Sequence, residues 1–287
     1  ITCCLSREPQ SNLYSFSSTG GAALTILNAI MKPMHCILAF AATLVLSSSA
    51  FSAGVISVNF EGGHGGNPGT APNALVTGVA GAVPADNWNN ALGADSSIAD
   101  LQDSTGASTG TSVAWSAGNS WSVNDGGAPQ PGDSQNGNLM WGYLDNMHDR
   151  GPITIDNIPA SFQATGYNVL VYHSTDSPGT MGFTVSDGVG ADQTLYSNQP
   201  GQWNYPIAGA DDGFVASTST DSGYNVNTNY TLFTGLSGSS VSIQGVRGTN
   251  GDGRARPNGF QLVQVPEPSS ALLLALGSFG LILRRRR

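Results

Sequence analysis

The chain has 287 residues, with 19 acidic side chains against 10 basic ones, a formal net charge of −9 and an isoelectric point near 4.6. Such a field repels polyanions and so excludes nucleic acid as a partner, while a neutral polysaccharide or a divalent cation remains compatible. Cys3, Cys4 and Cys36 all precede residue 53, so the rest of the chain must be held by its core without disulfides.

Residues 1–30 show no periodicity and read as an overcalled or disordered start ahead of Met31. From Met31 the pattern is that of a secretory signal peptide over 31–52. Lys32 and His35 give a short basic region, residues 36–46 an apolar one, and 47–53 small side chains with cleavage after Ser52 or Ala50. Export machinery is therefore an expected partner.

Residues 53–264 form the body of the chain. Residues 53–265 carry four arginines, no lysine and seventeen carboxylates, a net charge of −13. The stretch is rich in Gly, Ser, Thr, Asn and Val and poor in Leu, Lys and Glu, which favours strands and turns over helices. Strands are expected at 55–60, 111–117, 120–123, 139–144, 153–158, 167–173, 182–185, 193–196, 230–233, 241–246 and 260–265. The near-continuous apolar run at 167–172 suits a central strand buried on both sides. The first and last strands are expected to pair. Residues 62–110 read as a long loop region, and Trp115 and Trp121 as flanking a hairpin turn. The fold class is all-β: an antiparallel, jelly-roll-like β-sandwich, with an N-terminal signal helix and a short C-terminal hydrophobic helix outside it. The architecture is loosely similar to that of carbohydrate-binding modules.

Catalytic patterns are sparse. No strand-to-helix nucleophile elbow is evident, and His64, His148 and His173 are isolated in sequence. The best carboxylate pair is Asp145 and Asp149 beside His148, which otherwise reads as a charged surface turn. No cofactor is expected; the one the composition admits is calcium, through Asp211, Asp212 and Asp252, which otherwise read as ordinary turn residues beside Gly. Trp88 between Asn87 and Asn89, together with Trp203, gives candidate platforms for sugar rings, because an indole among short polar groups in a loop suits stacking. These residues favour a non-catalytic, glycan-binding surface or matrix protein. The alternative is a secreted polysaccharide-acting hydrolase or lyase.

The end of the chain is the most specific part. Pro266, Glu267 and Pro268 lead into an apolar run at 271–283, and Arg284, Arg285, Arg286 and Arg287 close it. A basic cluster beside an apolar segment stays cytoplasmic, which places the body of the chain outside. The thirteen residues of this run span about 20 Å as a helix, short of the roughly 30 Å hydrocarbon core, so the segment anchors marginally. The tripartite pattern over 265–287 resembles the PEP-CTERM sorting signal of bacteria. The resemblance implies processing near the triplet by a membrane-embedded exosortase and delivery to the cell surface or an exopolysaccharide matrix.

Overall fold

The structure is a computed structural model and describes residues 54–64, 67–68, 75–123, 134–201, 204–210 and 212–267. The signal-peptide segment and the apolar tail lie outside these residues. Among the described residues no helix is long and apolar enough to cross a membrane.

The described part is mostly β. In chain order its elements are β1 (Val55–Phe60), β2 (Gly63–His64), β3 (Asn67–Pro68), β4 (Asn89–Ala91), β5 (Asp95–Ile98), β6 (Ser112–Ser116), β7 (Asn119–Ser122), α1 (Gln135–Leu139) and β8 (Gly142–Asp145). A 3-10 turn (Met147–Asp149) precedes β9 (Ile153–Asp156), α2 (Ala160–Thr165), β10 (Tyr167–His173), β11 (Pro178–Ser186) and β12 (Gln193–Pro200). The chain continues through β13 (Ala216–Ser217), β14 (Tyr230–Leu236), β15 (Val241–Gly251) and β16 (Pro257–Gln264).

Two six-stranded sheets dominate. One has the order β13-β14-β10-β16-β1-β4, the other β12-β11-β15-β9-β6-β5. All pairings in the second sheet are antiparallel; the first is antiparallel except for β1 with β4 and β13 with β14 at its edges. The first and last long strands do pair, Val55 with Val263 through Asn59 with Gly259.

Side-chain alternation explains why the sheets share a core. Ile56, Val58 and Phe60 of β1, Val169 and Val171 of β10, and Phe260 and Leu262 of β16 join one cluster with Val113 and Trp115 of β6, Ile153 and Ile155 of β9, and Phe183 and Val185 of β11. Each large side chain buried there stabilises by about 1.5–3 kcal/mol. Edge-to-face contact between Phe60 and Trp115, at 5.5 Å between ring centroids, fixes the facing sheets side chain to side chain. The opposite faces of β10 and β16 are buried as well. Leu170 and Tyr172 pack in a second cluster with Val76, Ala80, Trp88, Leu139, Met140 and Phe214. Hence β10 is buried on both sides, as its unbroken apolar run demands.

Several local expectations change. The stretch 62–110 is more than a loop: its described part contains β4 and β5, and Val76, Ala80 and Trp88 cover the outer face of the first sheet. Short polar side chains pin it, with Asn90 Oδ1 accepting from Val76 N and from Asn59 Nδ2, both at 2.9 Å. Trp115 and Trp121 do not flank a hairpin. Their strands belong to different sheets, β6 pairing with β5 and β9, and β7 with β8. The strand expected at 139–144 starts only at Gly142, because Ser134 caps a short helix by accepting from Gly137 N and Leu139 ends that helix. Gly142 has no room for a side chain: an added Cβ would lie 2.3 Å from the Glu61 carbonyl.

Candidate functional site

The densest chemistry in the described domain lies where β16 begins. The loop after β15 carries Asp252, Arg254 and Arg256; β8 ends on Asp145; the β10–β11 connection brings Thr175 and Asp176. Arg256 is 3 % exposed and donates from Nε to Asp145 at 2.8 Å, from Nη2 to Asp252 at 2.8 Å and from Nη1 to the Thr175 hydroxyl at 2.8 Å. Its guanidinium lies 5.7 Å from the ring centroid of Tyr143, whose hydroxyl donates to Asp176 at 2.9 Å. Arg254 Nε donates to both oxygens of Asp252, at 2.9 and 2.7 Å, and its Nη1 lies 3.6 Å from Asp145.

The electrostatics follow from burial and pairing. Burial alone would lower the pKa of Arg256, but the Asp145 hydrogen bond, with the charges of Asp145 and Asp252, raises it. Burial raises Asp252, and the Arg254 hydrogen bond and the two guanidinium charges outweigh it, so this carboxyl titrates below the usual range. Tyr143 is pushed up by burial and then by Asp176. Arg256 thus stays charged and ties three connections together, a geometry suited to holding loops in register.

A neutral network adjoins this cluster. His173, fully buried at the end of β10, stacks on Phe183, and its Nδ1 lies 2.6 Å from Gln199 Nε2. Gln199 also donates to the Thr228 carbonyl at 2.9 Å, as does Asn204. Ser174 N donates to Asn258, which donates in turn to the Gly142 carbonyl at 2.6 Å. Burial pushes His173 down to about 3, so the ring is neutral at pH 7.

Asp145 and Asp149, expected together in a surface turn, part company. Asp145 is buried against Arg256, while the Asp149 side chain is 62 % exposed and pairs with Arg247 at 3.2 Å. Met147 between them anchors the turn in the core. Trp88 is 6 % exposed; its indole packs against Tyr172 at 6.1 Å and its Nε1 donates to the Ala85 carbonyl at 2.9 Å. Asn87 takes a left-handed turn, φ 54°, and donates to the Ser104 carbonyl, while Asn89 holds Ser57 and Gln102. In this arrangement the three residues pack and pin rather than present an open ring. Trp203 and Asp211 lie outside the described residues. Asp212 is exposed and accepts from Phe214 N at 2.9 Å, whereas Asp252 is engaged by two arginines. No group of three or more His, Cys, Asp or Glu that could hold a metal ion occurs among the described residues.

Reasoning from sequence missed Arg254, Arg256, Asp176, Tyr143 and His173. One signal was available: three of the four arginines in residues 53–265 fall between positions 247 and 256, beside Asp252.

At the other end of β16 the domain passes directly into the tail. Gln264 N donates to the Gly54 carbonyl and Val265 N to the Gly166 carbonyl, both at 2.9 Å. The Gln264 side chain accepts from Gly54 N at 3.2 Å and donates to the Ser161 carbonyl at 3.0 Å. Pro266 and Glu267 are exposed, and Pro268 with the four arginines lies outside the described residues. No curated protein and no solved structure matches this chain. Residues 264–287 match the PEP-CTERM protein-sorting motif, so the chain ends in a signal for export and for handling at the membrane by an exosortase-type enzyme.

Proposed function

We propose that the chain is a cell-surface or extracellular-matrix protein whose domain works by binding, with a polysaccharide as partner, rather than by catalysis. The observation that carries this reading is the continuity of β16 with the sorting motif, which makes the two-sheet domain the cargo being delivered. In this reading residues 31–52 are the signal peptide, 53–264 the delivered domain and 265–287 the sorting signal with its short membrane helix.

We read the two sheets as a jelly-roll sandwich. The orders β1-β16-β10-β14 and β9-β15-β11-β12, all antiparallel, support it, since successive long strands then alternate between sheets except for the β11–β12 hairpin, and the first closes on the last. The segment between β1 and β9 is an insertion on that frame. Jelly rolls include lectin domains, an analogy of architecture alone. The net charge of −13 favours a neutral glycan over an acidic one. Trp88, Trp115 and Trp141 are buried, and Trp203, which lies outside the described residues, is the indole we assign to stacking on a sugar.

The test is a glycan array and a panel of hydrolase and lyase assays on a recombinant 53–265 fragment. Binding without turnover, lost in Trp203→Ala, is the expected result. Turnover that survives purification would favour the polysaccharide-acting enzyme instead.

A further inference from the structure

The aromatic cluster on the outer face of the first sheet is buried around Tyr172 and half-exposed where β14 begins. We propose that Tyr205, Tyr230 and Asp212 form a contact site for a neutral pyranose unit of the polysaccharide. This deepens the glycan-binding reading above and rests on it.

Three stretches of chain meet there. α1 brings Asn136, the connection from β12 to β13 brings Tyr205, Asp212 and Phe214, and β14 opens on Tyr230. Phe214 is buried and touches both tyrosines, its ring centroid 5.0 Å from that of Tyr205 and 6.3 Å from that of Tyr230. Tyr205 and Tyr230 themselves stay half-exposed. The Tyr205 hydroxyl accepts from Asn136 Nδ2 at 3.0 Å and donates to the Asp212 carbonyl at 3.2 Å. Its ring is therefore fixed at both ends before any ligand arrives, and a fixed ring loses little freedom on binding, as a stacking platform requires.

Asp212 supplies the polar half of the site. It is exposed; its Oδ1 accepts from Phe214 N at 2.9 Å, while Oδ2 makes no hydrogen bond among the described residues. The carboxylate is near enough to Tyr230 to add to the upward push that burial gives the phenol. A sugar ring offers a C–H face to an aromatic ring and a rim of hydroxyls to a carboxylate and a phenol, and both kinds of group stand together here. Charge selects a neutral sugar. The four arginines of residues 53–265 are placed elsewhere: Arg150 beside Gly118, Arg247 with Asp149, and Arg254 and Arg256 with Asp145 and Asp252. No guanidinium of the domain is left to receive a uronate or sulfate, and Asp212 would repel one.

The test is retention of the full chain, in detergent, on beads carrying cellulose, mannan or galactan, with alginate beads as the acidic control. Retention on at least one neutral bead and none on alginate is expected. Asp212→Asn keeps the oxygen that Phe214 N uses and should weaken retention about tenfold, the worth of a hydrogen bond to a charged group. Tyr205→Leu keeps an apolar contact on Phe214 and should abolish retention, whereas Tyr196→Leu on β12 of the second sheet should leave it unchanged. Thermal melts report folding, and the exposed Asp212 decides alone if Tyr205→Leu does not fold. Unchanged retention in the folded site variants, or a preference for alginate, overturns this inference and leaves glycan binding standing. A wild-type chain that no bead retains overturns the glycan reading and takes this inference with it.

Discussion

The two ends of β16 are fixed by different physics. At its start, a buried guanidinium gathers carboxylates from three connections, and an uncharged amide and imidazole network continues the lattice. At its finish, where the chain turns into the sorting signal, backbone amides and the Gln264 side chain hold the strand. A buried carboxylate makes the contrast sharper. Asp187, after β11, has no arginine partner; its oxygens accept from Val189, Gly190, Ser237 and Gly238 backbone N–H at 2.8–3.0 Å. Burial raises its pKa, the four donors outweigh that, and it falls to about 2. Gly238 permits the approach, since a Cβ there would lie 2.2 Å from the Asp187 carbonyl oxygen. Loops that must be set in place are nailed by ion pairs, and the end handed to the membrane is closed with neutral donors.

Arg256→Ala should break this comparison most severely. Removing the guanidinium leaves Asp145 buried with the Asn146 N–H and, at 3.6 Å, Arg254, and the loss of one partner of a buried pair costs about 3–5 kcal/mol. Urea unfolding of the 53–265 fragment measures it.

Asp187→Asn tests the other end. An amide nitrogen cannot accept, so two backbone donors are orphaned and about 2–3 kcal/mol is lost. The pH dependence carries a sign of its own. The folded pKa of Asp187 lies below the unfolded value near 3.9, so its contribution is present above pH 4 and disappears as pH falls toward 2. In the Asn variant that low-pH decline should flatten.

His173 gives a separate acid sensitivity at the charged end. Its folded pKa is depressed to about 3 against about 6.5 unfolded, so below pH 6.5 the unfolded chain takes up a proton that the folded one refuses. Stability should fall by up to about 1.4 kcal/mol per pH unit between pH 6.5 and 4, since the ring's Nε2 has no hydrogen-bond partner to receive a charge. Denaturant midpoints of wild type and His173→Gln across that window check this, with a flatter profile expected for the variant.

Gln264→Ala should cost only about 1 kcal/mol, because its two partly exposed side-chain hydrogen bonds exchange readily for water. The smallest effect expected is from chelation. With Asp252 already neutralised by Arg254 and Arg256, a melting curve in EDTA should lie within about 1 °C of one in calcium.

Legibility in the sequence followed the range of the forces. Val55-Ile56-Ser57-Val58-Asn59-Phe60 and the run from Tyr167 announce strands because alternation and apolar continuity are local. The pairing of β1 with β16 was readable because domain ends tend to meet. The burial of Trp88 was not: it depends on Tyr172 and Leu139, more than fifty residues away, offering a surface that a Gly- and Ala-rich segment can cover. The ion cluster was equally hidden, since Asp145, Asp176 and Arg256 meet only when three separate connections converge. A sequence shows which side chains are charged, and only the fold shows which charges are already spoken for.

The pairing of β1 with β16 also sets an order of events. These neighbours are separated by about two hundred residues, so during export β1 emerges long before the strand that joins it to β10. At the pace of synthesis, about 5–20 residues per second, that interval is roughly 10–40 s. The middle of the first sheet stays open throughout, and the sorting motif follows β16 without a spacer. The first sheet can therefore close only after β16, and with it the start of the sorting motif, has been made.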